Sequence, residues 1–103
     1  VTGSRNVMIG HQASTGGSAG ATAINDVIAI GYRAGYVNQS GSNSIFIGRD
    51  AGLNITTGTN NCFIGYKCGD AATTTGYNTA VGESALSSLT TGSQHVAIGR
   101  NAK

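Results

Sequence analysis

The chain has 103 residues, of which 17 are glycine and none is proline; 10% are charged, 39% hydrophobic and six aromatic, for a formal net charge of +2. Glycine without proline or a Gly-X-Y period excludes collagen, plentiful Val, Ile and Thr oppose a disordered tail, and basic residues scattered singly oppose a nucleic-acid binder. No run approaches 18 apolar residues, so no membrane-spanning helix is expected, and two cysteines are too few for a disulfide scaffold.

The opening Val1-Thr2-Gly3, with no initiator Met and no signal peptide, reads as a mature chain or an excised fragment. Six short segments then follow one pattern: Val7-Met8-Ile9-Gly10, Ile28-Ala29-Ile30-Gly31, Ile45-Phe46-Ile47-Gly48, Cys62-Phe63-Ile64-Gly65, Thr79-Ala80-Val81-Gly82 and Val96-Ala97-Ile98-Gly99. Their closing glycines are separated by 21, 17, 17, 17 and 17 residues. A fixed period of this length marks a repeat architecture in which stacked units share one core. The four extra residues of the first step fall in the small-residue stretch 14–20, which reads as a loop extruded from one corner. A helix is excluded, because no 3.6-residue stripe exceeds one turn and the glycines would break it.

Alternating β-branched residues two apart predict a strand with a buried face. The expectation is that the Ile and Val positions point inward. The variable residue between them (Met8, Ala29, Phe46, Phe63, Ala80, Ala97) then points outward, onto an apolar face that a second copy of the chain would cover. The closing Gly marks a corner with a backbone conformation unsuited to a Cβ. Three residues later comes a column of small residues, Ala13, Ala34, Ala51, Cys68, Ala85 and Ala102, expected inside. A second corner returns ten residues after the first, at Gly41, Gly58 and Gly92; Gly3 falls in the same column and Gly76 arrives one residue late. The whole chain, 1–103, is therefore one all-β domain, a parallel β-solenoid or β-roll of about six coils, roughly 25–30 Å tall from the spacing of neighbouring strands.

Stacking brings like positions together. The residue after the corner Gly runs His11, Tyr32, Arg49, Tyr66, Glu83, Arg100, which suits cation–π stacking and a Glu–Arg pair. The next column carries Arg33, Asp50 and Lys67 with alternating sign, as exposed pairs that help to set register.

Chemistry-bearing candidates are few. His11 and His95 lie in different columns with no carboxylate or thiol at ligand spacing, and Asp26, Asp50, Asp70 and Glu83 share no column, so no metal, cofactor or catalytic site is expected. Glycine runs such as Gly48-Arg49-Asp50-Ala51-Gly52 lack the Lys-Ser/Thr of a phosphate loop. Cys62 and Cys68, both in columns expected to face inward, are read either as buried thiols or as a disulfide across the coil, which requires Cα atoms within about 7 Å. Asn38-Gln39-Ser40 and Asn54-Ile55-Thr56 match N-glycosylation acceptors at nearly the same place in consecutive coils, on an expected outer turn. The pairs Thr56-Thr57, Thr73-Thr74 and Thr90-Thr91 do not make an ice-binding plane, because adjacent strand residues point to opposite faces.

The stretch from Asn78 to Ser93, Asn-Thr-Ala-Val-Gly-Glu-Ser-Ala-Leu-Ser-Ser-Leu-Thr-Thr-Gly-Ser, resembles a repeat of bacteriophage tail-fibre and related fibre proteins. The strand–Gly–Ala pattern is also similar to the head repeats of trimeric autotransporter adhesins. The resemblance spans nearly all of the chain. It implies a left-handed β-roll, a homotrimer of chains side by side, and Met8, Phe46 and Phe63 at or near the trimer interface. Against that pattern the chain has the four-residue insertion and two cysteines in place of Val/Ile and Ala. The function expected is a non-enzymatic structural module of an extracellular, cell-surface or virion fibre, serving as shaft or head for attachment to a host-surface glycan or protein. The alternative is a self-assembling extracellular filament whose subunits stack head to tail, because a following copy would resume the repeat after a gap of only three residues. The stretch 14–20 is the expected variable contact loop.

Overall fold

A computed structural model describes residues 3–20 and 24–103, apart from the side chain of Ala19. Its six strands are β1 (Val7–Ile9), β2 (Ile28–Ile30), β3 (Ile45–Ile47), β4 (Cys62–Ile64), β5 (Thr79–Val81) and β6 (Val96–Ile98). They form one sheet in chain order, every neighbouring pair parallel. Register follows the repeat: Ile45 lies over Cys62, Phe46 over Phe63 and Ile47 over Ile64. The chain is a β-solenoid with a long dimension of 34 Å and a cross-section of 23 × 22 Å.

Hydrogen bonds along the axis hold the stack. The corner amides of Gly31, Gly48, Gly65, Gly82 and Gly99 each donate at 2.8 Å to the carbonyl that precedes the corner Gly one coil earlier. The corner glycines have φ between +122° and +136°, as their column required. Two further positions in every coil are left-handed without being glycine in any of the six. One is the residue two after the corner Gly (Gln12, Arg33, Asp50, Lys67, Ser84, Asn101) and the other is five before it (Arg5, Asp26, Asn43, Asn60, Tyr77, Gln94). Asn and Asp suit this conformation because short polar side chains tolerate it.

The orientation of the strands is the reverse of the sequence expectation. The mid-strand residues Ala29, Phe46, Phe63, Ala80 and Ala97 are buried inside the coil together with Ala13, Ala34, Ala51, Cys68 and Ala85. The Ile and Val positions face outward: Val96 and Ile98 are 72% and 69% exposed, and those of the central strands are half-buried by their neighbours along the axis. Phe46 and Phe63, fully buried in their own coils, are therefore not at an interchain surface. Both faces of each strand are apolar, so polarity could not decide which turns in. Size decides. The interior faces a column of Ala, and the column that alternates between Ala and occasional large residues is the one that fits it.

The two Phe rings are admitted by glycine. Phe46 and Phe63 pack ring to ring at 6.0 Å. A Cβ on Gly35 would lie 2.7 Å from Phe46, and one on Gly69 would lie 2.7 Å from Phe63. In the following coil the mid-strand residue is Ala80, and the position equivalent to Gly69 is Leu86, which joins the core. Between these two coils volume is thus exchanged from the strand to the facing turn.

The second corner is lined by a polar ladder that the sequence reading did not anticipate. The residue before each strand runs Asn6, Val27, Ser44, Asn61, Asn78, His95. Asn6 Oδ1 accepts from Val27 N, Ser44 Oγ from Asn61 N, Asn61 Oδ1 from Asn78 N, and Asn78 Oδ1 from His95 N, at 2.9–3.2 Å. The amide Nδ2 groups of Asn61 and Asn78 donate to Thr75 O and Gly92 O, so the buried side chains are satisfied. The signal was a recurrent Asn or Ser just before an apolar triplet. The late Gly76 also has its explanation: Thr75 takes the corner position, buried beside Gly58.

The first coil keeps register through Ser14, whose amide donates to Ala34 O, and is one residue late at Gly17, which donates to Tyr36 O. A single 3-10 turn, Gly17–Ala19, follows within the 14–20 stretch.

Candidate functional site

Two surface features run the length of the solenoid. The first is the outer face of the sheet. Residues 7, 28, 45, 62, 79, 96 and 9, 30, 47, 64, 81, 98 form two parallel columns of Val and Ile, interrupted only by Cys62 and Thr79. Such a continuous apolar strip is the kind of surface that marks a contact site.

The second lies on the adjoining corner. His11 stacks on Tyr32 with ring centroids 5.5 Å apart and planes 9° from parallel. The guanidinium of Arg49 sits over Tyr32 at 5.6 Å and over Tyr66 at 5.9 Å, and Lys67 Nζ lies 5.5 Å from the Tyr66 ring. The Tyr–Arg–Tyr stack read from the repeat columns is present. Glu83 and Arg100 form no ion pair among the described residues.

The alternating charges of the next column are organised differently from the expectation of exposed pairs. Asp50, with only 4% of its side chain exposed, accepts two hydrogen bonds from Arg33, from Nε at 3.0 Å and from the terminal amine at 3.3 Å. That bond raises the Arg33 pKa above its ordinary value. Lys67 has no carboxylate at salt-bridge distance among the described residues. On the second corner Arg5 forks onto Asp26 at 2.6 and 3.0 Å, and this hydrogen bonding holds the Asp26 carboxyl below its usual range. Burial pushes the Asp70 carboxyl upward.

The remaining candidates separate. Asn38 is not on an outer turn: it is fully buried, its Nδ2 donating to Gly41 O at 2.9 Å and its Oδ1 accepting from Gly41 N at 2.8 Å. Asn54 is exposed and donates to Asp70 O. Cys62 and Cys68 are free thiols on opposite sides of the coil wall, Cys62 in the outward column and Cys68 inside. Thr56 and Thr73 turn their hydroxyls onto the carbonyls of Thr73 and Thr90, while Thr57, Thr74 and Thr91 are exposed. No group of three or more His, Cys, Asp or Glu that could hold a metal occurs among the described residues. No helix among them is long and apolar enough to cross a membrane.

Cys68 gives a titration that can be measured. Its Sγ lies 3.1 Å from Ala80 O, and burial pushes the thiol up from 9.0 to about 11. A folded pKa above the unfolded one stabilises the fold fully below pH 9, and the benefit is lost as pH rises towards 11. Urea midpoints are expected to fall across that window in the parent and to fall less in Cys68→Ala; identical slopes would contradict the burial of the thiol.

No family model, no curated protein and no solved structure matches the chain.

Proposed function

We propose that the chain is a structural, non-enzymatic repeat module of an extracellular or virion fibre, in which copies associate side by side as a homotrimer and carry surfaces for attachment. The observation that carries the reading is the double column of outward Ile and Val. A lone solenoid leaves this strip in water along its whole length, and its burial stabilises association by about 25 cal/mol per Å² of apolar surface covered. The number three follows the resemblance to adhesin heads. Rotational symmetry about an axis parallel to the solenoid places the same coil of every copy at one height.

Cys62 turns that geometry into an experiment, because it stands in the strip and would face its own counterparts. Size-exclusion chromatography with light scattering is expected to give a trimeric mass. Oxidation with copper phenanthroline is expected to join Cys62 of two copies, giving dimer and residual monomer on a non-reducing gel. The product should vanish in Cys62→Ser and persist in Cys68→Ser. A monomeric mass would overturn the proposal.

Head-to-tail filament growth is the second reading. Long filaments in electron micrographs would favour this reading over a discrete trimer.

A further inference from the structure

The corner ladder has the properties of a binding surface for an extended, sparsely charged polymer. Its rings are stacked along the solenoid axis: one face of Tyr32 is shared with His11, and the guanidinium of Arg49 lies over both Tyr32 and Tyr66. The faces are therefore occupied, and the polar tips and ring edges are left to meet solvent. Tyr32 and Tyr66 remain 42% exposed, and the Arg49 side chain 61%. Aromatic edges carry partial positive charge, phenol and guanidinium groups donate hydrogen bonds, and the nearest carboxylate, Asp50, is engaged mainly by Arg33. Arg49 lies 3.9 Å from that carboxylate. The result, over the four coils from His11 to Lys67 and ending at the exposed Glu83 of the next coil, is a row of donors, about one per coil at roughly 4.8 Å, with positive charge at Arg49 and Lys67.

We propose that this ladder, His11–Tyr32–Arg49–Tyr66–Lys67, binds an acidic polysaccharide through its carboxylates and hydroxyls. The carboxylate is received by Arg49 between the two Tyr hydroxyls, and neighbouring sugar hydroxyls bond along the row. A nucleic acid fits less well: duplex DNA presents a charge about every 1.7 Å along its axis, whereas the ladder offers two cations, one of them already 3.9 Å from Asp50, and mainly neutral donors. The proposal rests on the reading of the chain as an attachment module and gives it a ligand class.

The test is calorimetric titration of the intact protein with tetragalacturonate, alongside neutral tetragalactose and dextran sulfate. Tetragalacturonate is expected to bind at least tenfold more tightly than the neutral tetramer. Arg49→Gln and Tyr66→Leu should each weaken it at least tenfold, without changing the melting temperature by more than a few degrees or the oligomeric mass. No binding of tetragalacturonate, or binding indifferent to both substitutions, overturns the assignment. So does tighter binding of dextran sulfate that vanishes at moderate salt, since that marks unspecific attraction of a polyanion. Mass and glycan binding are read separately, so a trimer that ignores the sugar removes this inference and leaves the fibre module standing.

Discussion

Gly65→Ala is expected to destabilise the solenoid by about 3–5 kcal/mol, a large share of the roughly 5–15 kcal/mol that holds an ordinary domain folded. Two costs combine. Its φ of +136° lies where side chains are strained, at about 1–3 kcal/mol. An added Cβ would also sit 2.6 Å from the carbonyl oxygen of Gly82 on the next coil, and every atom it meets is backbone, which leaves little room to yield. Gly99→Ala separates the two. Its φ is similar, +122°, but nothing lies within 4 Å of the added carbon. Chemical denaturation should therefore show a loss of only about 1–3 kcal/mol for Gly99→Ala. Equal losses at both sites would mean that axial crowding contributes nothing.

The exchange of volume between strand and facing turn gives the second large effect. Phe63→Ala should cost about 3–5 kcal/mol through the cavity it leaves. Ala80→Phe should fail for the opposite reason, since Leu86 already fills that coil. Combining Ala80→Phe with Leu86→Gly reproduces the arrangement of Phe63 and Gly69, where the ring lies against a residue with no side chain. The double variant is expected to be more stable than Ala80→Phe alone, with a coupling of at least about 1 kcal/mol in a double-mutant cycle. Additive losses would show that the two positions do not share space.

Much of the architecture was legible because repetition multiplies weak signals. One Ile-Phe-Ile-Gly segment says little, but six of them, the last five at a fixed spacing, point to strand positions, parallel order, the corner glycines and the interior Ala column. The Tyr32–Arg49–Tyr66 stack followed from the same alignment of columns. What failed was the choice of face. Hydrophobicity alone points Ile and Val inward, yet Ile98 and Val96 are the exposed side of their strand and Ala97 is the buried one. Both faces are apolar, so only interior width discriminates, and that width depends on how tightly the rest of the coil turns. Asn38 was misplaced for a related reason. A short polar side chain in a turn was read as solvent-facing, whereas it closes its own corner against Gly41. The Asn ladder escaped notice because Val27, Ser44 and His95 dilute it.

Each coil makes its backbone bonds with the coils on either side, and the interior Phe pair needs only its immediate glycines. An in-frame duplication of one repeat in the gene would therefore lengthen the rod by a single strand spacing, about 4.8 Å, while disturbing only the joint where it enters. A surplus of a few residues is instead taken up at a corner, as in the first coil, where a 21-residue step still pairs Val7 with Ile28 and Ile9 with Ile30. Length in such a chain is inherited in whole steps, and selection can adjust reach one coil at a time without redesigning the fold.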